Sequence, residues 1–405
     1  MSKITKVQFS NSEDFQLSAY LELPLNQHPQ AYALFAHCFT CSKNSRAARS
    51  ISQFLTKKGI AVLRFDFTGL GNSEGDFSDT NFSSNIQDLV AASQFLEQKY
   101  QAPSILIGHS LGGAAVLATA SDLPSVKAVV TIGAPAEPAH VEHLMHSKKE
   151  EIETSGRATV QIGAQKFNIQ QQFIKDIQQH TLRSKISQLG KSLLILHAPQ
   201  DRVVPIDNAE KIYQAARHPK SFITLDGADH LLTNKQDGHY VGEVIASWVK
   251  RYLPQPKENP LKSRAQVVVR LNRADAFTSE AKAGKHQFVA DEPESVGGND
   301  FGPSPYDLVA SGLGACTVMT LHMYARRKKW DLEEVTVHID HKKSYTEDMR
   351  SADTKPQKID HFDKKISLVG NLDEEQKARL IAIADRCPVH RTLHRDVVIK
   401  TELLA

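Results

Sequence analysis

The sequence predicts two domains: an α/β domain built on a mostly parallel, doubly wound sheet, followed by a smaller α+β domain. Three observations lead there. The chain has 405 residues, whereas single cores stop growing near roughly 250–300 residues. Its first 250 or so residues alternate short apolar runs with amphipathic stretches, the beat of strand and helix in turn. A proline-rich break, "YLPQPKENPLKSR" (Tyr252 to Arg264), then separates that beat from a different order of elements, as a linker would.

Bulk composition narrows the function classes. At 40% hydrophobic and 23% charged residues the chain has enough apolar surface for packed cores. Lys and Arg number 49 against 46 Asp and Glu, a formal charge of +3, so no nucleic-acid partner is expected, because that footprint needs a clustered basic excess. No unbroken run of some 18 apolar residues is present, so no membrane span is expected. The start, "MSKITKVQFSNSEDF", lacks the apolar segment of an export signal. Four cysteines are too few for a disulfide scaffold in a chain this long. The expectation is a cytoplasmic protein with reduced thiols.

In the first domain, residues 1–253, the runs "AYALFAH", "IAVLRFDF", "SILIGHS", "AVVTIGAP", "SLLILHAP" and "SFITLDGA" read as buried strands. Helical patterns such as Arg46–Lys58 and Ser84–Lys99 lie between them. Residues 137–185 are polar and Gln-rich, with no clear beat. There "VQIGAQKFNI" suggests a hairpin turning at Gly163. This segment is expected to be a lid-like insertion. The linker is placed at residues 254–263.

The second domain spans residues 264–405. "AQVVVRLN" and "KHQFVAD" read as strands, "LVASGLGACTVMTLHMYA" (Leu308 to Ala325) as a helix, and "EEVTVHIDHKK" and "KKISLVG" as strands. "DEEQKARLIAIADRC" is an amphipathic helix whose start suits an Asp373–Gln376 cap. "VVIKTELL" reads as a closing strand.

The most specific local signal is "ILIGHSLGGAAVL". Gly108-His109-Ser110-Leu111-Gly112 is a G-x-S-x-G motif between an apolar strand and a helix. A nucleophile there sits on a strained turn that flanking glycines relieve. A serine hydroxyl needs a base, and the base an orienting group. They are expected downstream in the order acid, then His. Asp201, just past the strand "LLILHAP", and His230, just past "FITLDGA", meet that order. Asp207, Asp226 and Asp229 are rival acids. Asp201 is preferred because it follows its strand directly and precedes a helix.

The negative charge developing in acyl transfer needs donors. The amide of Leu111, directly after the nucleophile, is one. The loop "FAHCFTCSKN" should supply the other, from Phe39. Cys38 and Cys41 in that loop form a C-x-x-C without a partner pair or thioredoxin-like frame, so loop packing is expected of them. His140, His143 and His146 recur every three residues without carboxylates at metal-site spacing and read as a solvated face. "RFDFTGLGNSEG" (Arg64 to Gly75) is not a phosphate loop, because Glu74 stands where the last glycine would be. It resembles instead the D-x-x-G-x-G-x-S segment of α/β-hydrolases related to lysophospholipases and serine aminopeptidases, where its role is structural. Residues 1–253 as a whole resemble that superfamily. Ser110, Asp201 and His230 match its triad, and the oxyanion loop resembles its His-Gly turn with Cys38 in place of the glycine.

In the second domain Leu308, Val309, Gly312, Leu313, Cys316, Met319 and Met323 recur at three- and four-residue intervals, which predicts a buried stripe holding Cys316. Buried cysteine is most often an inert small hydrophobe. The lead-in "DEPESVGGNDFGPSPYD" and the later "DRCPVHRTL" resemble the OsmC family, which includes the organic hydroperoxide resistance proteins. The resemblance covers residues 264–405, with Cys316 and Cys387 as its two thiols. It implies reduction of an organic hydroperoxide at Cys316, resolution by Cys387, recycling by a dithiol reductant, and an intertwined homodimer. The family's glutamate position is Tyr306 here, with Asp307 next to it. Arg270 or Arg273 would supply the cation an attacking thiol needs. Cys387 is expected at a helix C-terminus, which suits a resolving thiol. His390 and His394 follow one and two turns on if a helix resumes after Pro388.

Together these readings resemble the bifunctional α/β-hydrolase/OsmC fusion proteins. The expected activity is hydrolysis of a small acyl substrate, such as an ester, with no metal or cofactor. The alternative for the second domain is non-enzymatic: dimerisation or binding of a hydrophobic ligand.

Overall fold

The computed structural model describes residues 3–24, 29–39, 41–162, 165–253, 261, 263–275, 277–345 and 358–404. The chain forms two compact units, Met1–Pro260 and Leu261–Ala405. Most of the expected linker, and the expected turn at Gly163, lie outside the described residues.

The first unit opens with a hairpin, β1 (Lys3–Ser10) and β2 (Gln16–Leu23), then β3 (Ala31–Ala36), α1 (Arg46–Lys57), β4 (Ile60–Phe65), α2 (Phe82–Lys99), β5 (Ile105–His109), α3 (Leu111–Thr119) and β6 (Ala128–Ile132). The insertion follows: a 3-10 stretch at Pro138–Lys148, α4 (Lys149–Ser155), the antiparallel pair β7 (Arg157–Ile162) and β8 (Gln165–Gln170), α5 (Gln171–Gln179) and α6 (Leu182–Ser187). The unit continues with β9 (Ser192–His197), α7 (Asp207–Ala215), β10 (Lys220–Thr224) and α8 (Lys235–Val249).

Eight of these strands form one sheet, in the order β1-β2-β4-β3-β5-β6-β9-β10. From β4 to β10 every neighbour is parallel. The parallel strands read as unbroken apolar runs because both faces are covered. In β3, Ala31, Ala33 and Phe35 pack into one core cluster, and Tyr32, Leu34 and Ala36 into the other. That is the two-residue alternation of a strand buried on both sides. Burying each large side chain contributes about 1.5–3 kcal/mol. The apolar-run pattern does not reveal β1 and β2, whose polar and apolar residues alternate at the antiparallel edge. The chain runs from β3 to β4 on one side, then back past β3 to β5. This reversal makes a crevice at the carboxyl ends of β3 and β5, the place where such sheets bind ligands.

The second unit contains β11 (Val267–Arg270), β12 (Ser279–Ala283) and β13 (His286–Ala290) in one antiparallel sheet. Then come α9 (Pro305–Lys328), the long antiparallel pair β14 (Asp331–Tyr345) and β15 (Lys358–Asn371), α10 (Glu374–Ala384) and α11 (Pro388–Leu393). The Asp373–Gln376 capping box starts α10, and a Ser304–Asp307 box starts α9. Two expectations need correction. The face of α9 that packs inside the chain is Leu313, Thr317, Leu321 and Ala325. Met319 and Met323 of the expected stripe are 63% and 72% exposed. Periodicity found an apolar face, but not whether this chain covers it. α9 is also, among the described residues, long and apolar enough to cross a bilayer, with a mean hydropathy of 1.3, although only 22% of that stretch is buried. Its Leu321 and Ala325 pack in one core with Leu380 and Ile383 of α10 and with β14 and β15, as in a domain helix with one bare face. Second, Val397–Leu404 is exposed and not a strand, because no neighbour among the described residues offers it an edge.

Candidate active site

Ser110 stands between β5 and α3 with φ +56°. A non-glycine residue holds that backbone only where its surroundings enforce it. Its amide donates to the Ile132 carbonyl at 2.9 Å, and the Gly113 amide donates to its carbonyl at 2.8 Å. The flanking glycines are dictated by space. A Cβ on Gly108 would lie 2.3 Å from the Gly112 carbonyl oxygen, and one on Gly112 would lie 2.4 Å from that of Ala36. The helix carrying Leu111 therefore presses directly on the end of β3. The Leu111 amide is in the first turn of α3, where no intrahelical acceptor exists.

His230 joins the two other groups. Its Nε2 is 3.0 Å from Ser110 Oγ, and its Nδ1 is 2.7 Å from Asp201 Oδ2. Asp201 follows β9, and its second oxygen accepts the amides of Val203 and Val204 at 2.8 and 2.9 Å. Burial pushes its carboxyl up, but the His230 hydrogen bond and charge and the two amides outweigh this and hold it below the usual range. Gly133, at the end of β6 with φ +53°, lies beneath the pair. A Cβ there would sit 3.3 Å from both Asp201 Oδ2 and His230 Nδ1. The rivals are placed elsewhere: Asp207 pairs with Lys211, Asp226 accepts from Thr224 and Asp229 accepts from Thr233.

Two buried histidines brace this chain of contacts. His109 Nε2 donates to the His230 carbonyl at 2.7 Å, and His197 Nε2 donates to the Val204 carbonyl at 2.7 Å. Burial, then the neighbouring His230, lowers the His109 imidazole to about 4, so it is neutral at pH 7. Burial lowers His197 as well.

The loop after β3 holds Phe39 and is anchored at its far end by Lys43. That side chain is fully buried and pairs with Asp66, whose Oδ1 also accepts the Lys43 amide at 2.7 Å. Arg64 pairs with buried Glu22 and donates to the Lys43 carbonyl. Asp66 opens the D-x-x-G-x-G-x-S segment. Gly71, at φ +56°, lets the chain wrap so closely that a Cβ would strike the Asp66 carboxylate at 2.1 Å. The Asn72 amide then donates to that carboxylate at 2.9 Å, and Ser73 Oγ donates to the Asp66 carbonyl at 2.6 Å. Phe39 packs on Phe77 and on Phe173 of α5, with ring centroids 5.4 and 5.0 Å apart, so the loop touches the insertion. Cys38 and Cys41, expected only to pack in the loop, are bonded to each other. His140 is tied to the Val203 carbonyl at 3.1 Å and His143 to the His140 carbonyl.

In the second unit Cys316 is half-buried in the middle of α9, and Cys387 is fully buried. Thr317, next to Cys316, places its hydroxyl 3.6 Å from the Cys387 sulfur. The expectation that Cys387 ends a helix is corrected. α10 stops at Ala384, and Cys387 is the N-cap of α11, its sulfur accepting the His390 amide at 3.3 Å. Pro388 allows the new helix to begin at once, because its missing N–H is not needed there. The sulfur thus faces the positive end of a helix. Arg270 donates to Glu280 across β11 and β12 at 2.7 Å, and Arg273 lies in a 3-10 turn. Lys364, which sequence patterns do not single out, approaches His390 Nδ1 at 3.0 Å. Tyr306 stacks on His341 at 4.3 Å and accepts from Lys343 at 2.8 Å. Asp307 serves the α9 cap, and the Ser304 hydrogen bonds hold its carboxyl below the usual range.

Comparison with known proteins decides the family. The serine aminopeptidase S33 model matches residues 27–149, and the OsmC-like protein model matches residues 297–402. The solved esterase domain of a Rhodothermus marinus protein is 49% identical, with a TM-score of 0.52. It covers 62% of this chain and 99% of its own. This chain belongs to the α/β-hydrolases and carries an OsmC-like domain. Palmitoyl-protein thioesterase ABHD10 of mouse, a mitochondrial protein, is 26% identical over 213 residues, which is 51% of this chain and 71% of that protein. The solved mouse α/β hydrolase domain-containing protein 10 shares the fold at 23% identity and a TM-score of 0.53, covering 61% of this chain and 99% of its own. For an α/β-hydrolase the bracing residues His109 and His197 and the Lys43–Asp66 pair are the parts that sequence reasoning missed. For His109, His197 and Asp66 the signal is a polar residue at the end of an otherwise apolar strand, as in "SILIGHS" and "SLLILHAP".

Proposed function

We propose that the hydrolase unit cleaves small carboxylic esters or thioesters by acyl transfer to Ser110. His230 takes the hydroxyl proton as Ser110 Oγ attacks the acyl carbon, and Asp201 orients the ring and stabilises its cation. The Leu111 amide, with that of Phe39, receives the developing oxyanion. His230 returns the proton to the leaving alcohol or thiol, and a water activated the same way releases the acid. The observation that carries this reading is the unbroken Ser110–His230–Asp201 hydrogen-bond chain, at 3.0 and 2.7 Å, on a serine held at φ +56°. The similarity to an esterase domain and to a palmitoyl-protein thioesterase supports the ester and thioester class. The test is turnover of p-nitrophenyl and acyl-thiol esters of increasing chain length. Absence of turnover with every ester would refute the reading.

A second reading concerns the OsmC-like unit. Cys316 attacks the peroxide oxygen of an organic hydroperoxide, the alcohol leaves, and Cys316 becomes a sulfenic acid. Cys387 condenses with it, losing water, and a dithiol reduces the resulting disulfide. Burial of Cys387 beside Thr317, the neighbour of Cys316, supports the pairing. The helix-start position of Cys387 removes the electrostatic ground for calling it the resolving thiol, and that role rests on the family resemblance. A homodimer completes the reading: a second copy covers Met319, Met323 and the Val397–Leu404 segment, all exposed in one chain. Peroxide consumption no faster than that of Cys316→Ser would overturn the chemistry. A monomer by light scattering would overturn the assembly.

A further inference from the structure

We propose that the Cys38–Cys41 disulfide is a reversible redox site, opened and closed by a dithiol/disulfide couple, that sets the hydrolytic rate at Ser110 by holding or releasing the Phe39 turn. The inference rests on the reading of Ser110 as the nucleophile. It begins from where the bridge lies. The two cysteines span the turn that contains Phe39, with Cα atoms 5.2 Å apart, well inside the range a disulfide bridges. The Cys41 amide donates to the Cys38 carbonyl at 3.1 Å, and His37 Nδ1 donates to the same carbonyl at 2.8 Å. A covalent link therefore closes a turn that one wall of the site depends on.

A purely stabilising role fits poorly. The loop closed is only four residues long, and the gain from constraining the unfolded chain is smallest for short loops. The ends of the segment are already fixed without the bridge. On one side β3 enters the sheet with Gly112 packed on its last carbonyls. On the other, Lys43 is locked to Asp66. Between those anchors the bridge adds a covalent constraint to the hydrogen bonds on the Cys38 carbonyl and the ring contacts of Phe39. The Phe39 ring meets Phe77 and Phe173, so opening the turn alters both the amide offered to the oxyanion and a contact with the insertion.

The two sulfurs are unequal in access. Cys38 is buried, whereas Cys41 is half-buried. A dithiol's thiolate attacks Cys41 Sγ, the Cys38–Cys41 bond breaks, and Cys38 leaves as a thiolate that takes up a proton. The second thiol of the reagent then attacks the mixed disulfide, releasing Cys41 as a thiol and the reagent as its own disulfide. Two electrons and two protons pass to the protein, and the reverse sequence re-forms the bridge.

The experiment poises the full-length protein, in a Cys316→Ser/Cys387→Ser background so that one pair titrates, in mixtures of reduced and oxidised dithiothreitol. Each sample is divided between alkylation with mass measurement and turnover of a p-nitrophenyl ester. The expected result is a fall in kcat/KM on the order of 10-fold on reduction, milder than the roughly 10²–10³-fold loss of a whole oxyanion donor. That fall should share its midpoint with alkylation. Cys41→Ser should stay at the reduced rate in every mixture. Turnover that is flat while alkylation changes overturns the switch alone, as do thiols that alkylate fully in every mixture. No turnover in any sample overturns the Ser110 reading, and the switch with it.

Discussion

His109→Gln isolates one buried titration from the rest of the fold. In the unfolded chain the imidazole titrates near 6.5, whereas in the fold it is lowered to about 4, chiefly by burial. The unfolded state therefore takes up the proton first. The contribution of His109 to stability is intact above about pH 6.5 and is lost as pH falls through the window between 6.5 and 4. At pH 5 the unfolded ring is almost fully charged and the folded ring almost neutral, so linkage gives a loss of about 2 kcal/mol relative to pH 8. For a unit of this size that is a melting shift of about 4–8 °C. Glutamine supplies a donor of similar kind to the His230 carbonyl but does not titrate. Burial also lowers His37 and His197, so both proteins lose stability in acid. The difference between them isolates His109. The assay is thermal unfolding of both proteins at pH 8 and pH 5. The wild type should lose about 4–8 °C more than His109→Gln. Curves that stay parallel across that range would refute the assignment of a buried neutral imidazole.

Gly133→Ala places a methyl group 3.3 Å from both partners of the Asp201–His230 hydrogen bond. Misplacing a reacting group by ~1 Å costs ~10²-fold, so a displacement of a few tenths of an ångström should lower kcat by about 3–10-fold with KM little changed. A kcat within twofold of wild type in steady-state assays would show that the pair tolerates the crowding. Lys43→Met leaves the buried Asp66 carboxylate without its cation, which should cost about 3–5 kcal/mol. Denaturant unfolding checks this, and a loss below about 1 kcal/mol would mean that the amides of Lys43 and Asn72 suffice.

How much of this was legible depended on whether a pattern reports on one element or on what surrounds it. The buried strands were legible because parallel strands covered on both faces must be continuously apolar. The proposed nucleophile and its partners were legible because Ser110 follows β5 directly while Asp201 and His230 come a few residues past the ends of β9 and β10, and the structure brings all three within hydrogen-bond reach. The same logic failed for α9. Its apolar positions were visible, but their period could not say that Leu313 and Leu321 turn inward while Met319 and Met323 stay bare. At Cys387 the helical pattern of "DEEQKARLIAIADRC" reaches the cysteine, and only the backbone shows the helix ending at Ala384 and Cys387 capping another that starts at Pro388. The Cys38–Cys41 bond was hidden because spacing in a loop does not fix separation in space. His109 was in view inside the motif, yet its role depends on the carbonyl of a residue 121 positions away.

The most direct test of acyl transfer at Ser110 is labelling by a fluorophosphonate probe, with the modified peptide located by mass spectrometry. The wild-type protein should carry one adduct, on Ser110, and Ser110→Ala should carry none and hydrolyse no ester. Undiminished labelling or ester turnover in Ser110→Ala would contradict the account.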